Sequence, residues 1–143
     1  MSDANAQKHV FPLRVYYEDT DAGGIVYYAN YLRFAERART EYLRSVGANH
    51  KSLMEQDDVY FTVRQCSVDY LKPAFLDDAL EVHSCFFDVR GASLQAEQVV
   101  RREEYELARL NIWLACIGGN GRPIRMPKKL RDAFSADIAT VGR

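Results

Sequence analysis

The residues best equipped for chemistry lie together in Tyr16-Tyr-Glu-Asp-Thr-Asp-Ala-Gly-Gly-Ile-Val-Tyr-Tyr-Ala-Asn-Tyr31. Two carboxylates, Asp19 and Asp21, sit in a turn, Gly23 and Gly24 follow at once, and a helical pattern begins at Tyr28. The glycines permit close approach of backbone to a ligand. A helix start presents unpaired N–H groups and the positive end of the dipole. A carboxylate beside such groups is machinery for acyl transfer. The amides polarise a carbonyl and hold the oxyanion that forms on attack, worth about 3–4 kcal/mol per well-aimed donor, while the carboxylate attacks or activates a water. The same residues have a purely structural reading, because Asp-x-x-Gly is common turn chemistry and Asp near a helix start is a cap. Residue types alone leave both open.

The elements that must position this stretch can be read from periodicity. After a polar arm, taken as residues 1–11, Leu13-Arg-Val-Tyr-Tyr17 alternates and reads as a strand. From Tyr28 to Val46 the period changes. Tyr31, Phe34, Ala35, Ala38, Tyr42 and Val46 make an apolar stripe, Arg33, Glu36, Arg37, Thr40, Glu41 and Arg44 oppose it, and Gly47 ends the helix. Lys51 to Gln56 suggests a short helix. Val59, Phe61 and Val63 alternate before the phase shifts to Cys66, Val68 and Tyr70, which predicts a bulge near Arg64-Gln65 in one long strand. A turn over Pro73 to Asp78, a strand from Leu80 to Phe87, a hairpin at Arg90-Gly91-Ala92, and strands over Leu94 to Arg102 and Leu107 to Ile117 follow. Pro127 to Phe134 closes the chain as a short helix, leaving 137–143 as a tail. A strand, a long helix and four strands joined by tight turns describe an α+β domain with an antiparallel sheet. The helix covers one sheet face, and a homodimer, joined edge to edge or through the sheet, would supply the missing burial.

Composition sets the outer bounds. At 143 residues, 48% hydrophobic and 12% aromatic, the chain is the size of one domain with a substantial core. A formal charge of −1 offers no general field for nucleic acid or an anionic membrane. The first residues carry no apolar secretory segment and no membrane-spanning run occurs, so a cytoplasmic protein that is not integral to a membrane is expected. Cys66, Cys85 and Cys116 have no metal-ligand spacing and read as small apolar strand residues; no metal or cofactor is expected.

The string from Val15 to Arg39 closely resembles the acyl-CoA thioesterases encoded beside the Tol-Pal genes of Gram-negative bacteria. These belong to the 4-hydroxybenzoyl-CoA thioesterase group of hotdog-fold proteins. Val68-Asp-Tyr-Leu-Lys-Pro-Ala-Phe-Leu-Asp-Asp78 and Val89-Arg-Gly-Ala-Ser-Leu94 also look like this family, and the likeness runs over residues 12–136. It implies a hotdog fold, a curved antiparallel sheet wrapped around one long central helix, and a homodimer or homotetramer with active sites between subunits. It implies hydrolysis of short- to medium-chain acyl-CoA without a cofactor. Asp21 becomes the nucleophile or general base and the backbone N–H of Tyr28 the oxyanion donor; many Tol-Pal-associated members have His at that position, whereas the hydroxybenzoyl enzyme has Tyr. Gly24, Tyr27, Arg90 and Ser93 become substrate-binding residues. Asp19 is expected to hold the turn, and Tyr17, Tyr27, Tyr31, Phe34 and Tyr42 mainly to pack.

Other readings divide on named residues. A hotdog dehydratase needs a His with a carboxylate, and His9, His50 and His83 all fall outside the Asp21 stretch. A non-catalytic scaffold or partner of an acyl carrier protein would leave Asp21 as a turn residue only. The basic run Arg122, Arg125, Lys128, Lys129 and Arg131 could meet CoA phosphates, an acidic carrier or an anionic surface, or simply face solvent.

Overall fold

The computed structural model describes residues 9–139. Strand β1 is His9–Arg14, followed by a single 3-10 turn, Tyr17–Asp19. Helix α1, Asn30–Ser45, is joined by a short link to α2, His50–Asp57. Strands β2 (Tyr60–Tyr70), β3 (Ala79–Phe87), β4 (Ser93–Arg102) and β5 (Tyr105–Ile117) follow, and α3 (Lys128–Ala139) ends the fold. All neighbouring strands are antiparallel, in the spatial order β1-β3-β4-β5-β2.

The helix forms where the apolar stripe predicts it, and Tyr31, Phe34, Ala35, Ala38 and Tyr42 are buried. It stops in a Schellman arrangement: Gly47 takes φ +77°, its N–H donates to Arg44 O, and the Ala48 N–H donates to Leu43 O. The buried stripe packs chiefly over β1, β3 and β4, against Leu80, Val82, Ala96 and Val100. The inner face of β2 is therefore left largely open, with Val63 47% and Tyr70 48% exposed. The predicted bulge in β2 is present as a register shift between Val63 and Gln65.

Several boundaries differ from expectation. The first strand lies four residues earlier than the alternation suggested, so residues 9–11 of the expected arm pair with β3 and Tyr17 sits in a turn, 83% exposed rather than packed. The rest of that arm, residues 1–8, and residues 140–143 of the expected tail lie outside the described residues, while 137–139 extend α3. Helix α1 begins two residues late because Tyr28 and Ala29 form a turn, with the Asn30 N–H donating to Tyr27 O at 2.8 Å.

The larger correction is topological. β2 and β3 are not hairpin neighbours, since β2 pairs with β5 at the sheet edge and residues 71–78 cross to β3. Eight extended residues reach about 26 Å, whereas three strand spacings span about 14 Å. A segment rich in turn residues was thus long enough to be a crossover. Arg102 pins it, donating from Nη1 to Pro73 O (3.1 Å) and Asp78 Oδ2 (2.8 Å).

Candidate active site

Between β1 and α1 the chain makes a miniature antiparallel hairpin. Thr20 bridges to Val26, the Asp21 N–H donates to Ile25 O, the Gly24 N–H to Asp21 O, and the Tyr27 N–H to Asp19 O. Gly24 sits at the tip with φ +85°, in the left-handed region that favours glycine. The hairpin docks on the β2–β3 crossover, because Ile25 bridges to Phe75 and the Val26 N–H donates to Ala74 O.

The two carboxylates of the motif have separated roles. Asp19 is buried; its Oδ2 accepts the Tyr16 N–H at 2.8 Å, and its carbonyl also accepts the Asn30 side-chain amide. It holds the turn to the helix. Asp21 is exposed, and only its Oδ1 is engaged within the described residues, by the Gly23 N–H at 2.8 Å. The other oxygen, Oδ2, is available for chemistry. Tyr28 follows the hairpin directly, just before α1, and its N–H makes no hydrogen bond within the described residues. The Tyr28 carbonyl is held by the Tyr70 hydroxyl at 2.9 Å, and the rings of Tyr27, Tyr28 and Tyr70 pack against one another. The neighbouring Tyr28 phenol pushes the Tyr27 phenol above its ordinary value. Tyr28 and Tyr70 border a cavity of about 350 Å³ with Ile25, Leu71 and Pro73.

Asp21, Gly24, Tyr27 and Tyr28 are thus brought together, but Arg90 and Ser93 are not. Tyr70, beside Tyr28, pairs with Ala108, whereas Ser93 pairs with Ala115. Seven residues of strand separate the two ends, about 23 Å. At the far end Arg90 is engaged by Asp88, with Nε 3.2 Å from Oδ1 and Nη2 3.4 Å from Oδ2. Gln95 donates to the same carboxylate, and Arg90 followed by Gln95 holds the Asp88 carboxyl below its ordinary range. The basic run is partly committed as well: Lys128 pairs with Asp132, Lys129 approaches Gly47 O, and Arg125 lies against Gly91.

A second cavity, of about 310 Å³, runs under α1 beside β2 and is lined mostly by apolar side chains, including Leu32, Leu43, Phe61 and Val63. Arg39 is part of its lining, a residue the sequence reading did not single out. The available signal was its position: a cation between Ala35 and Tyr42 borders the apolar stripe.

A family model described as the thioesterase superfamily matches residues 23–108, beginning just after Asp21. The chain belongs to that superfamily. Among relatives, the acyl-CoA thioesterase YbgC of Haemophilus influenzae is 44% identical over 125 residues, 87% of this chain and 92% of the relative. The acyl-CoA thioester hydrolase YbgC of Escherichia coli O157:H7 is 42% identical over 130 residues, 90% and 93% of the two chains. A probable thioesterase from Bartonella henselae superposes with a TM-score of 0.82 at 35% identity, covering 85% of this chain and all of that one. The 1,4-dihydroxy-2-naphthoyl-CoA thioesterase of Synechocystis shares the fold, with a TM-score of 0.83 at 21% identity over 90% and 96% of the chains. The architecture of this thioesterase-superfamily member is the hotdog fold that the motif resemblance implied. Among the described residues no group of three or more side chains could hold a metal ion, and no helix is long and apolar enough to cross a membrane. The histidines stand on β1, α2 and β3, away from the Asp21 hairpin, so the dehydratase reading finds no His–carboxylate pair there.

Proposed function

We propose that the protein hydrolyses the thioester of short- to medium-chain acyl-CoA, releasing a carboxylic acid and CoA. The observation that carries the reading is the pairing of a half-engaged Asp21 carboxylate with the unbonded Tyr28 N–H on one short hairpin. The thioester carbonyl oxygen accepts from Tyr28 N–H, which stabilises the oxyanion as the carbonyl carbon becomes tetrahedral. Asp21 Oδ2 either attacks that carbon, giving an anhydride that water then hydrolyses, or takes a proton from a water that attacks directly. In both routes the C–S bond breaks and CoA leaves with the electron pair, taking up a proton. Relatives named as acyl-CoA thioesterases at 42–44% identity support this substrate class.

The separation of Arg90 and Ser93 from Asp21 supports a site completed by a second copy. β2 is an edge strand with an open inner face. A copy laid antiparallel along that edge brings its Tyr60 end, and with it Arg90 and Ser93, beside Tyr70, Tyr28 and Asp21 of the first. Each dimer then holds two equivalent sites.

Thiol release from a panel of acyl-CoA esters, with the protein's mass in solution measured in parallel, tests the reading. Hydrolysis by a dimer or larger assembly, lost in a folded Asp21→Asn variant, is expected. A folded protein that releases thiol from no chain length would favour the scaffold, and release undiminished in Asp21→Asn would overturn the assignment of Asp21.

A further inference from the structure

The cavity under α1 contains a feature that an aliphatic chain does not need. Its walls are largely apolar, yet Arg39 lines it from the helix, together with Arg33, Glu36 and His50. Arg39 is fixed from below. Its Nη1 donates to Gln98 Oε1 at 2.8 Å, and Gln98, wholly buried, donates from Nε2 to Ala35 O and Ser84 Oγ, each at 2.9 Å. With both acceptors met, the Gln98 amide has one orientation, and it presents its oxygen to Arg39. Burial lowers the Arg39 pKa, opposed by the charge of Glu36 one turn away on the same cavity, but among the described residues no carboxylate lies within ion-pair distance of Arg39. A half-buried guanidinium with most of its five N–H donors uncommitted to protein groups is a ready anion site. Its planar fork fits a carboxylate in particular.

We propose that this cavity receives the acyl group and that Arg39 selects acyl groups ending in a second carboxylate. The inference rests on the thioester-hydrolase reading for the identity of the ligand. The spacing along the helix suits such a chain. The cavity begins at Leu32, four residues beyond Tyr28, and α1 rises about 14 Å between Asn30 and Arg39. The Arg39 side chain leans back toward the helix start and shortens that span. A thioester carbonyl at the Tyr28 N–H and a terminal carboxylate at Arg39 are thus the two ends of one medium-length dicarboxylic acyl chain.

The test compares kcat/KM for suberyl-CoA and octanoyl-CoA, which differ only at the terminus. The wild type is expected to favour suberyl-CoA by at least about tenfold, and Arg39→Gln to remove the preference, because a site built to bind a polar group discriminates strongly against its apolar analogue. Val63→Glu, on an exposed cavity wall and away from Gln98, should also reverse the ratio by repelling the terminal carboxylate. A wild type without preference, or an unchanged ratio in folded Arg39→Gln, would overturn the proposal. Titration with the 7-carboxyheptyl and octyl thioethers of CoA, which cannot be hydrolysed, reads selectivity without turnover. If no acyl-CoA is hydrolysed yet the carboxyheptyl ligand binds more tightly to wild type than to Arg39→Gln, the esterase reading fails and Arg39 as a carboxylate site stands; equal binding of the two ligands removes it.

Discussion

Two turns at opposite ends of the sheet each carry an exposed or half-exposed aspartate, and they treat it differently. At Asp21 a single backbone N–H from Gly23 engages one oxygen. At Asp88 both oxygens are used, by the Arg90 guanidinium and the Gln95 amide. The first carboxylate keeps its orientation and most of its accepting capacity, which a nucleophile or base requires. The second is spent on holding the hairpin that leads into β4, and it neutralises Arg90 as it does so. Turn chemistry and catalysis are therefore not competing explanations for an Asp in this fold. What separates these two exposed carboxylates is how many of their oxygens the turn engages, whereas Asp19, which also accepts a single N–H, is set apart by its burial.

The most severe test of that contrast is to neutralise each aspartate in turn. Asp21→Asn keeps an acceptor for the Gly23 N–H but removes the charge, so thiol release should fall by about 10³-fold or more with little change in melting temperature. Asp88→Asn should retain most of the wild-type turnover. Similar losses in both variants would dissolve the distinction. A smaller effect is expected at the tyrosine that braces the Tyr28 peptide. Tyr70→Phe removes a hydrogen bond of about 0.5–1.5 kcal/mol, and if that bond aims the Tyr28 N–H, kcat should fall up to about tenfold with KM less affected.

Much of the fold was legible because the long helix and the strands bury one face each, and burial leaves a period in the sequence. Even the β2 bulge showed itself, as a phase shift between Val63 and Cys66. The β2–β3 crossover did not, because Pro73 and its neighbours look the same whether a turn reverses the chain beside its neighbour or carries it across the sheet. Pairing partners are long-range information, and no local pattern distinguishes β5 from β3 as the neighbour of β2. The Asp21 hairpin stood out through residue types packed into one short segment. The distance between that hairpin and Arg90 could not be read, since it depends on strand order, and Arg39 stayed hidden because its partner Gln98 lies 59 positions away.

The far hairpin supplies two finer tests. If Asp88 already satisfies Arg90, then Arg90→Ala should alter KM for acyl-CoA little, whereas Asp88→Asn should free the guanidinium and lower KM a few-fold, the small effect expected of an exposed ion pair. Pantetheine thioesters, which lack the nucleotide phosphates, should show neither change. A large KM increase in Arg90→Ala would mean that substrate draws Arg90 away from Asp88.

The smallest expected effect is on acid stability, and its direction follows from linkage. The Asp88 carboxyl is held below its ordinary value of 3.8 in the folded protein, first by Arg90 and then by Gln95. The unfolded chain therefore takes up a proton at a higher pH than the folded one, and the contribution of Asp88 is complete above the unfolded value and lost as pH falls through the folded one. Thermal melts of wild type and Asp88→Asn should differ by a small, constant amount near neutrality and converge as pH drops below about 4. A difference that persists in acid would mean that the geometry of the hairpin, rather than the charge on Asp88, holds Arg90 and Gln95 in place.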